Sequence, residues 1–431
     1  MSDPSKAKHG LDFLTGAQTS AASCGRLSAR LHAFTEIPDT PLGGGPGPLS
    51  GISIVIKDMI DIAGRAPTLG LQRAPRVVPR QNARIFDILS NAGAATVAFG
   101  QMSPLAYEAS GANSHSARPL NPWNEAYICG GSSSGPTVAV ASGCVPLALG
   151  SDTAGSLRIP AHCCGITAWK PTFGLVPLDG TMPLAPSLDT LGFLARSAGT
   201  IAPVAELFAG GNVRPPIRKV AVAHDLVSRS TVSIQLGIAA MEHTLLTIGQ
   251  SLAAVALEAV RAATDAPVLT VLQAEAARVN ADLMGSGVLD RDLHARLEKG
   301  LAISDARLEE ASRSLIQLAE TWTQRLFSSA DAILLPVMPM TTPLVEECEP
   351  SGPAFTPRTL YALSSFTRFV NALGLPAVAV PAGIDGHGLP IGVQLVGPPG
   401  SDRALIALAC EIQLASDWHS RPPPVRVDHS N

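Results

Sequence analysis

Charge and aromatic side chains are scarce in this chain: of 431 residues, 15% are Asp, Glu, Lys or Arg and 4% are Phe, Trp or Tyr, where an ordinary soluble domain carries about a quarter charged residues. With 46% hydrophobic residues the composition excludes a disordered chain, which is poor in apolar side chains and rich in charge. The 31 basic and 35 acidic residues nearly cancel, leaving −4, so no general attraction to nucleic acid or an anionic membrane is built in. Neither is expected as a partner. No apolar run approaches the roughly 18 residues of a membrane span. The first residues, MSDPSKAKHG, lack the apolar stretch of a secretory signal, and the expected location is the cytoplasm. Seven cysteines form an odd set without a CxxC pair, and ten histidines never fall at HxxxH or HExxH spacing. That pattern excludes the common disulfide and zinc frameworks, and neither metal nor cofactor is expected.

The 39 glycines and 36 prolines punctuate a series of apolar segments. Leu27, Leu31 and Phe34 recur at helical spacing within residues 11–35, and GGGPGP (Gly43 to Pro48) must be a loop. Ile52, Ile54, Val55 and Ile56 form a β-branched run expected of a buried strand. Ala83 to Ala92 reads as a helix and Thr96 to Phe99 as a strand. Tyr127 to Ser151 contains no charge but is broken by Gly130, Gly131, Gly135, Gly143 and Pro146, the mark of a buried region with tight backbone positions. Residues 230–327 turn helical, with Leu308, Ala311, Leu315 and Leu318 on one face. Ala332 to Leu335, AVAV and GVQLVG return to strand character. Strands on both sides of a helical middle predict one large α/β domain with a mixed twisted sheet. Its parts are an N-terminal helical segment (about 10–40), a core (about 50–200), a variable helical segment (about 201–330) and C-terminal strands with a helix (about 331–415).

Three places could carry chemistry. Lysine is rare, and of Lys6, Lys8, Lys57, Lys170, Lys219 and Lys299 only Lys57 directly follows a strongly apolar strand. Burial there would lower its pKa and make it a usable base; alternatively it reaches solvent or pairs with Asp58 or Asp61. CGGSSSG (Cys129 to Gly135) offers three hydroxyls between glycines. It is a helix N-cap, or a GxSxG nucleophile elbow with Ser133 attacking and a later acid and histidine. GSDTAGSLRIPAHCCG (Gly150 to Gly165) places small residues ahead of Ser156. Their amides could converge as an oxyanion site, or the segment is a tight loop capped by serine.

Taken together, these features resemble the amidase signature family of serine hydrolases. That family reads approximately GGSSGGS, a stretch of small residues, then GTDTGGSIRIPA-x-x-CG-x-x-G-x-KPT-x-G. Gly130 to Gly174 of this chain follows the same order without a gap. GxNxxxxxxxNPW (Gly111 to Trp123), SLDTLGFLARS (Ser187 to Ser197), and GLPAVAVPAG with GLPIGVQLVG (Gly374 to Gly397) extend the resemblance, which covers about residues 50–200 and 330–410. It implies one sheet covered by helices on both faces.

By the same resemblance Ser156 is the nucleophile, Ser132 the bridging serine that the family holds in a cis peptide, and Lys57 the terminal base. The amides of Thr153, Ala154, Gly155 and Ser156 would hold the oxyanion, Ser133 would support the lysine, and Asp152 and Arg158 would brace the loop. Met102, Leu105, Tyr107, Met182 and Leu184 would line an apolar substrate pocket. Ala154 and Ser134 stand where glycine is commoner and Cys129 where proline is; none of these removes a catalytic group, and Cys163 and Cys164 are expected to be packing residues. The implied substrate is a small amide, ester or carbamate, and no clustered basic residues announce a carboxylated one. A homodimer is expected. The family also contains glutamine-hydrolysing members of amidotransferase complexes, and that role, like a Ser-His-Asp hydrolase using Ser133, stands as the alternative.

Overall fold

The computed structural model describes residues 21–72, 77–208, 210, 214–350 and 352–427. The expected N-terminal helix is seen as α1 (Ala21–Leu31) but stops short of Phe34, which begins a strand instead; residues 11–20 lie outside the described residues.

Among the described residues twelve strands join one sheet: β1 (Phe34–Glu36), β2 (Leu42–Gly43), β3 (Ser53–Lys57), β4 (Ala95–Gly100), β5 (Leu147–Asp152), β6 (Thr167–Lys170), β7 (Thr190–Ala195), β8 (Lys219–Val222), β9 (Ser251–Ala254), β10 (Ala332–Pro336), β11 (Ala377–Ile384) and β12 (Pro390–Val396). Their order is β1-β4-β3-β5-β7-β6-β11-β12-β10-β8-β9, with β2 on β4. The sheet is mixed: β3 runs parallel to β4 and β5, β7 and β6 are antiparallel, and β10, β8 and β9 run parallel again.

Strand alternation sorts the core into two layers. Ile54, Ile56, Leu147, Leu149, Trp169 and Phe193 face one side, with α2 (Arg84–Asn91) packed there through Ile85, Phe86 and Leu89. Val55, Ala148, Ala168 and Leu194 face the other, against α3 (Ser134–Ala141) and α4 (Arg158–Cys164). Small residues on that second face let α3 lie close. A Cβ added to Gly135 would sit 2.1 Å from the Ala33 carbonyl oxygen and 2.4 Å from the Gln101 nitrogen. On the first face α5 (Ala198–Glu206) completes the cover.

The helical middle differs from the expectation. β8 and β9 extend the sheet, α6 (Val232–Thr247) packs on its core through Ile238, Met241 and Leu245, and α7 (Glu258–Val279), α8 (Arg291–Leu301) and α9 (Asp305–Leu326) form a helical layer beyond it. KVAV and SLAA are four residues each, too short for alternation to stand out, and SLAA is poor in β-formers. Val268 and Val271 of α7 and Ala311 and Leu315 of α9 pack on Ala185 and Leu188, so this layer sits against the loop before β7. In the C-terminal part α10 (Pro357–Leu363) and α11 (Arg368–Ala372) precede β11, and α12 (Asp402–Leu414) follows β12. No helix among the described residues is long and apolar enough to cross a membrane.

Candidate active site

Lys57 ends β3, two residues after Val55, so it leaves the strand on the face where α3 packs. It is fully buried. Its Nζ lies 2.7 Å from Ser132 Oγ and 2.8 Å from Ser151 Oγ. Neither solvent nor Asp58 takes it up: Asp58 accepts instead from Arg65, Thr35 and Thr68. Burial pushes the Lys57 pKa down to about 7, against the pull of the Asp189 and Asp152 carboxylates.

Ser132 lies just before α3 and follows a cis Gly131–Ser132 peptide. The Ser133 amide donates to the Ser156 carbonyl at 3.3 Å, which sets the two serine loops side by side. Contrary to expectation, Ser133 does not bond the lysine. Its hydroxyl donates to the Ser151 carbonyl at 3.1 Å and accepts from the Ser151 amide at 3.2 Å, so the direct support to Lys57 comes from Ser151, a residue outside the set expected from the sequence. Ser151 sits at the end of β5 inside the uncharged stretch, where nothing separates it from its neighbours by composition. The same backbone bonds occupy Ser133 Oγ where a nucleophile elbow would need a histidine.

The loop after β5 is held from below. The buried Asp152 carboxylate accepts from the Gly155 and Leu157 amides at 2.8 and 3.1 Å, from Arg158 Nε and Nη2 at 3.1 and 3.0 Å, and from Asn371 Nδ2 at 2.9 Å. Burial opposes its charged form, but the Arg158 guanidinium leads the interactions that outweigh it and hold the carboxyl down at about 2. Gly155 therefore spends its N–H on Asp152. Contrary to expectation, Gly155 has no free amide for an oxyanion; Thr153, Ala154 and Ser156 are the members of the loop that line the cavity. Thr153 Oγ1 donates to Asp189 at 2.5 Å, and the Leu184 and Ala185 amides donate to the same carboxyl. Burial nevertheless holds Asp189 above its ordinary value.

A cavity of about 620 Å³ opens in front of Ser156. Ser156 retains 9% exposure while Lys57 and Ser132 have none, so only Ser156 of the three reaches the cavity. Tyr107 and Leu184 line it with Ile159, Leu269 and Leu272. Met102 and Leu105 are instead buried in the core beneath, and Met182 packs against that core; none of the three lines the cavity. A period-two or helical pattern could not have separated them, because Leu105 and Ala106 adopt positive φ in a kinked turn.

Charged groups reach the wall from distant segments: Glu108, Asp292, Arg296, Lys299 and Arg368. Glu108 accepts from the Ser110, Gly111 and Ala112 amides, Arg296 donates to the Tyr107 carbonyl, and Arg368 pairs with Asp265. These basic residues are scattered in sequence and gathered only by the fold. Among the described residues no cluster of His, Cys, Asp or Glu is grouped to hold a metal, and all seven cysteines are free thiols.

A serine loop on a mixed sheet, backed by a buried lysine and facing a cavity, fits the class of amide hydrolases. A sequence profile of the Amidase family matches residues 29–283 and 251–406, and the chain belongs to this amidase signature family. It is 32% identical over 407 residues to the glutamyl-tRNA(Gln) amidotransferase A subunit of Deinococcus radiodurans, covering 84% of this chain and 83% of that protein. A solved amidase superposes with a TM-score of 0.81 over 96% of this chain and 99% of its own, at 26% identity. The glutamyl-tRNA(Gln) amidotransferase A subunit of Thermotoga maritima superposes with 0.80 over 98% and 94%; at 24% identity it speaks for the fold alone.

Proposed function

We propose that this protein hydrolyses the C–N bond of small amides through an acyl-enzyme on Ser156, with Ser132 as proton relay and Lys57 as base. The observation that carries the reading is the dry contact of Lys57 with Ser132, together with a pKa near 7 that burial gives the amine. A neutral amine keeps an N–H for Ser151 and turns its lone pair to the Ser132 hydroxyl. Ser132 passes its proton to Lys57 as it receives that of Ser156, and the Ser156 oxygen attacks the carbonyl carbon. The amides of Thr153, Ala154 and Ser156 stabilise the charge that develops on the carbonyl oxygen. When the C–N bond breaks, the proton returns along the same route to the leaving amine. Water, deprotonated by the same pair, then cleaves the ester and restores Ser156.

The cavity volume suits a small organic molecule. The apolar side chains nearest the loop favour an uncharged acyl or aryl portion there, and esters and carbamates of the same shape are further substrates of this reading. A second reading is favoured by the relatives named as parts of an amidotransferase: a component that takes nitrogen from an amide for a glutamyl-tRNA acceptor. Those relatives weigh against excluding nucleic acid from the partners.

The test is a panel of p-nitroanilides, p-nitrophenyl esters, aryl carbamates, primary amides and glutamine, with wild type and Ser156→Ala. Turnover of aryl or alkyl amides lost with Ser156 is the expected result. Turnover of glutamine alone moves the assignment to the amidotransferase component, and amide turnover that survives Ser156→Ala contradicts both readings.

A further inference from the structure

We infer that Thr367 is a positioning residue for the oxyanion-binding loop, acting by pinning the Ala154–Gly155 peptide; the inference rests on the hydrolase reading above. Thr367 is fully buried just before α11. Its Oγ1 donates to the Ala154 carbonyl at 2.6 Å, across 213 residues of chain; the Ser364 carbonyl, also in reach, is farther at 3.2 Å. The other end of the same peptide, the Gly155 N–H, donates to Asp152 Oδ1 at 2.8 Å. Both polar groups of one peptide unit, which point in opposite directions in a trans peptide, are thus engaged by buried side chains, and the neighbouring residues Ala154 and Ser156 line the cavity.

This peptide needs holding. Gly155 has φ +132°, a region closed to most side chains but soft for glycine, so rotation of the peptide costs little unless its hydrogen bonds oppose it. A flip would exchange the directions of the Ala154 carbonyl and the Gly155 N–H, break both hydrogen bonds and loosen the loop that carries the Ala154 and Ser156 amides. Thr367 also fits the glycine closely: a Cβ at residue 155 would lie 2.3 Å from Thr367 Oγ1. Asn371, four residues on, bonds both the carbonyl and the carboxylate of Asp152, so one short segment grips both sides of the loop. Its other neighbour, Arg368, pairs with Asp265 of α7 and ties the grip to the cavity wall.

The experiment compares wild type, Thr367→Val and Thr367→Ser on the best amide of the panel, with Ser156→Ala as reference. Losing a single oxyanion donor costs about 100- to 1000-fold in kcat; loosening the loop should cost Thr367→Val roughly 10- to 100-fold, with KM within about twofold. Thr367→Ser should return most of the rate. A boronic acid that becomes tetrahedral on Ser156 should bind Thr367→Val more weakly by the factor lost in kcat/KM, while an unreactive amide competitor binds as before. A merely structural role would lower Tm without separating these two inhibitors. Should valine prevent folding, Thr367→Cys keeps the volume with a weaker donor and is read the same way. Wild-type kcat in the valine variant, equal loss in the serine variant, or a change in KM alone would overturn the inference while leaving the hydrolase standing. Amide turnover by Ser156→Ala would remove both.

Discussion

Lys57 can accept a proton only when neutral, and its environment sets how often it is. Burial is the larger effect and favours the amine; Asp189 and Asp152 pull the other way and leave the pKa at about 7. Under the proposed mechanism kcat/KM therefore rises with pH through an apparent pKa near 7, and Lys57→Met abolishes this limb and lowers the rate by at least about 10²–10⁴-fold. A pH profile of both proteins checks it. Asp152 makes a second residue-scale prediction. Its carboxylate and Arg158 are both fully buried, and removing one partner of such a pair strands the other. Arg158→Met should cost about 3–5 kcal/mol in urea unfolding, well beyond the effect of an exposed pair such as Arg313–Glu309.

At the scale of elements, the site is where β3, β5 and the N-terminus of α3 converge. The apolar run before Lys57 and the glycines around Ser132 made those elements readable, because a buried strand and a close helix leave strong compositional marks. Ser151 was not readable: it looks like any serine in an uncharged run, and only the pairing of β3 with β5 brings it to Lys57. Nor were the positive φ values of Leu105 and Ala106, which carry the chain past the cavity, and these decide that Tyr107 rather than Leu105 lines it. The closeness of α3 leads to the element-scale prediction. Gly135→Ala places a methyl against the Ala33 carbonyl and the Gln101 backbone and must push α3 outward. It should destabilise by about 1–3 kcal/mol, measured by urea titration, and lower kcat because Ser132 moves with the helix.

Across the whole molecule, the C-terminal part completes what the N-terminal part begins. Gln394 of β12 accepts from Arg158, and Asn371 and Thr367 reach the loop after β5. A sheet on both sides of the helical middle was legible from the order of apolar segments; these long-range bonds were not, since no local pattern encodes them. Two buried lysines also give the molecule a pH signature. Burial brings Lys57 and Lys170 down to about 7 against their carboxylate neighbours, with the Arg158 charge adding to the effect at Lys170, whereas in the unfolded chain they titrate near 10.4. Between these values the unfolded state binds more protons, so their contribution to stability rises with pH across that window and is flat below it. Lys57→Met should therefore be more stable than wild type below pH 7, with the gap narrowing toward pH 10. Urea midpoints of the two proteins across that range check it.

The central claim is that Ser156 becomes the acyl carrier because Lys57 activates it through Ser132. The most direct test is labelling the wild type with a fluorophosphonate and mapping the adduct by peptide mass spectrometry. The account predicts one adduct, on Ser156, forming orders of magnitude more slowly in Lys57→Met. An adduct on Ser133, or undiminished labelling of Ser156 without the lysine, would contradict it.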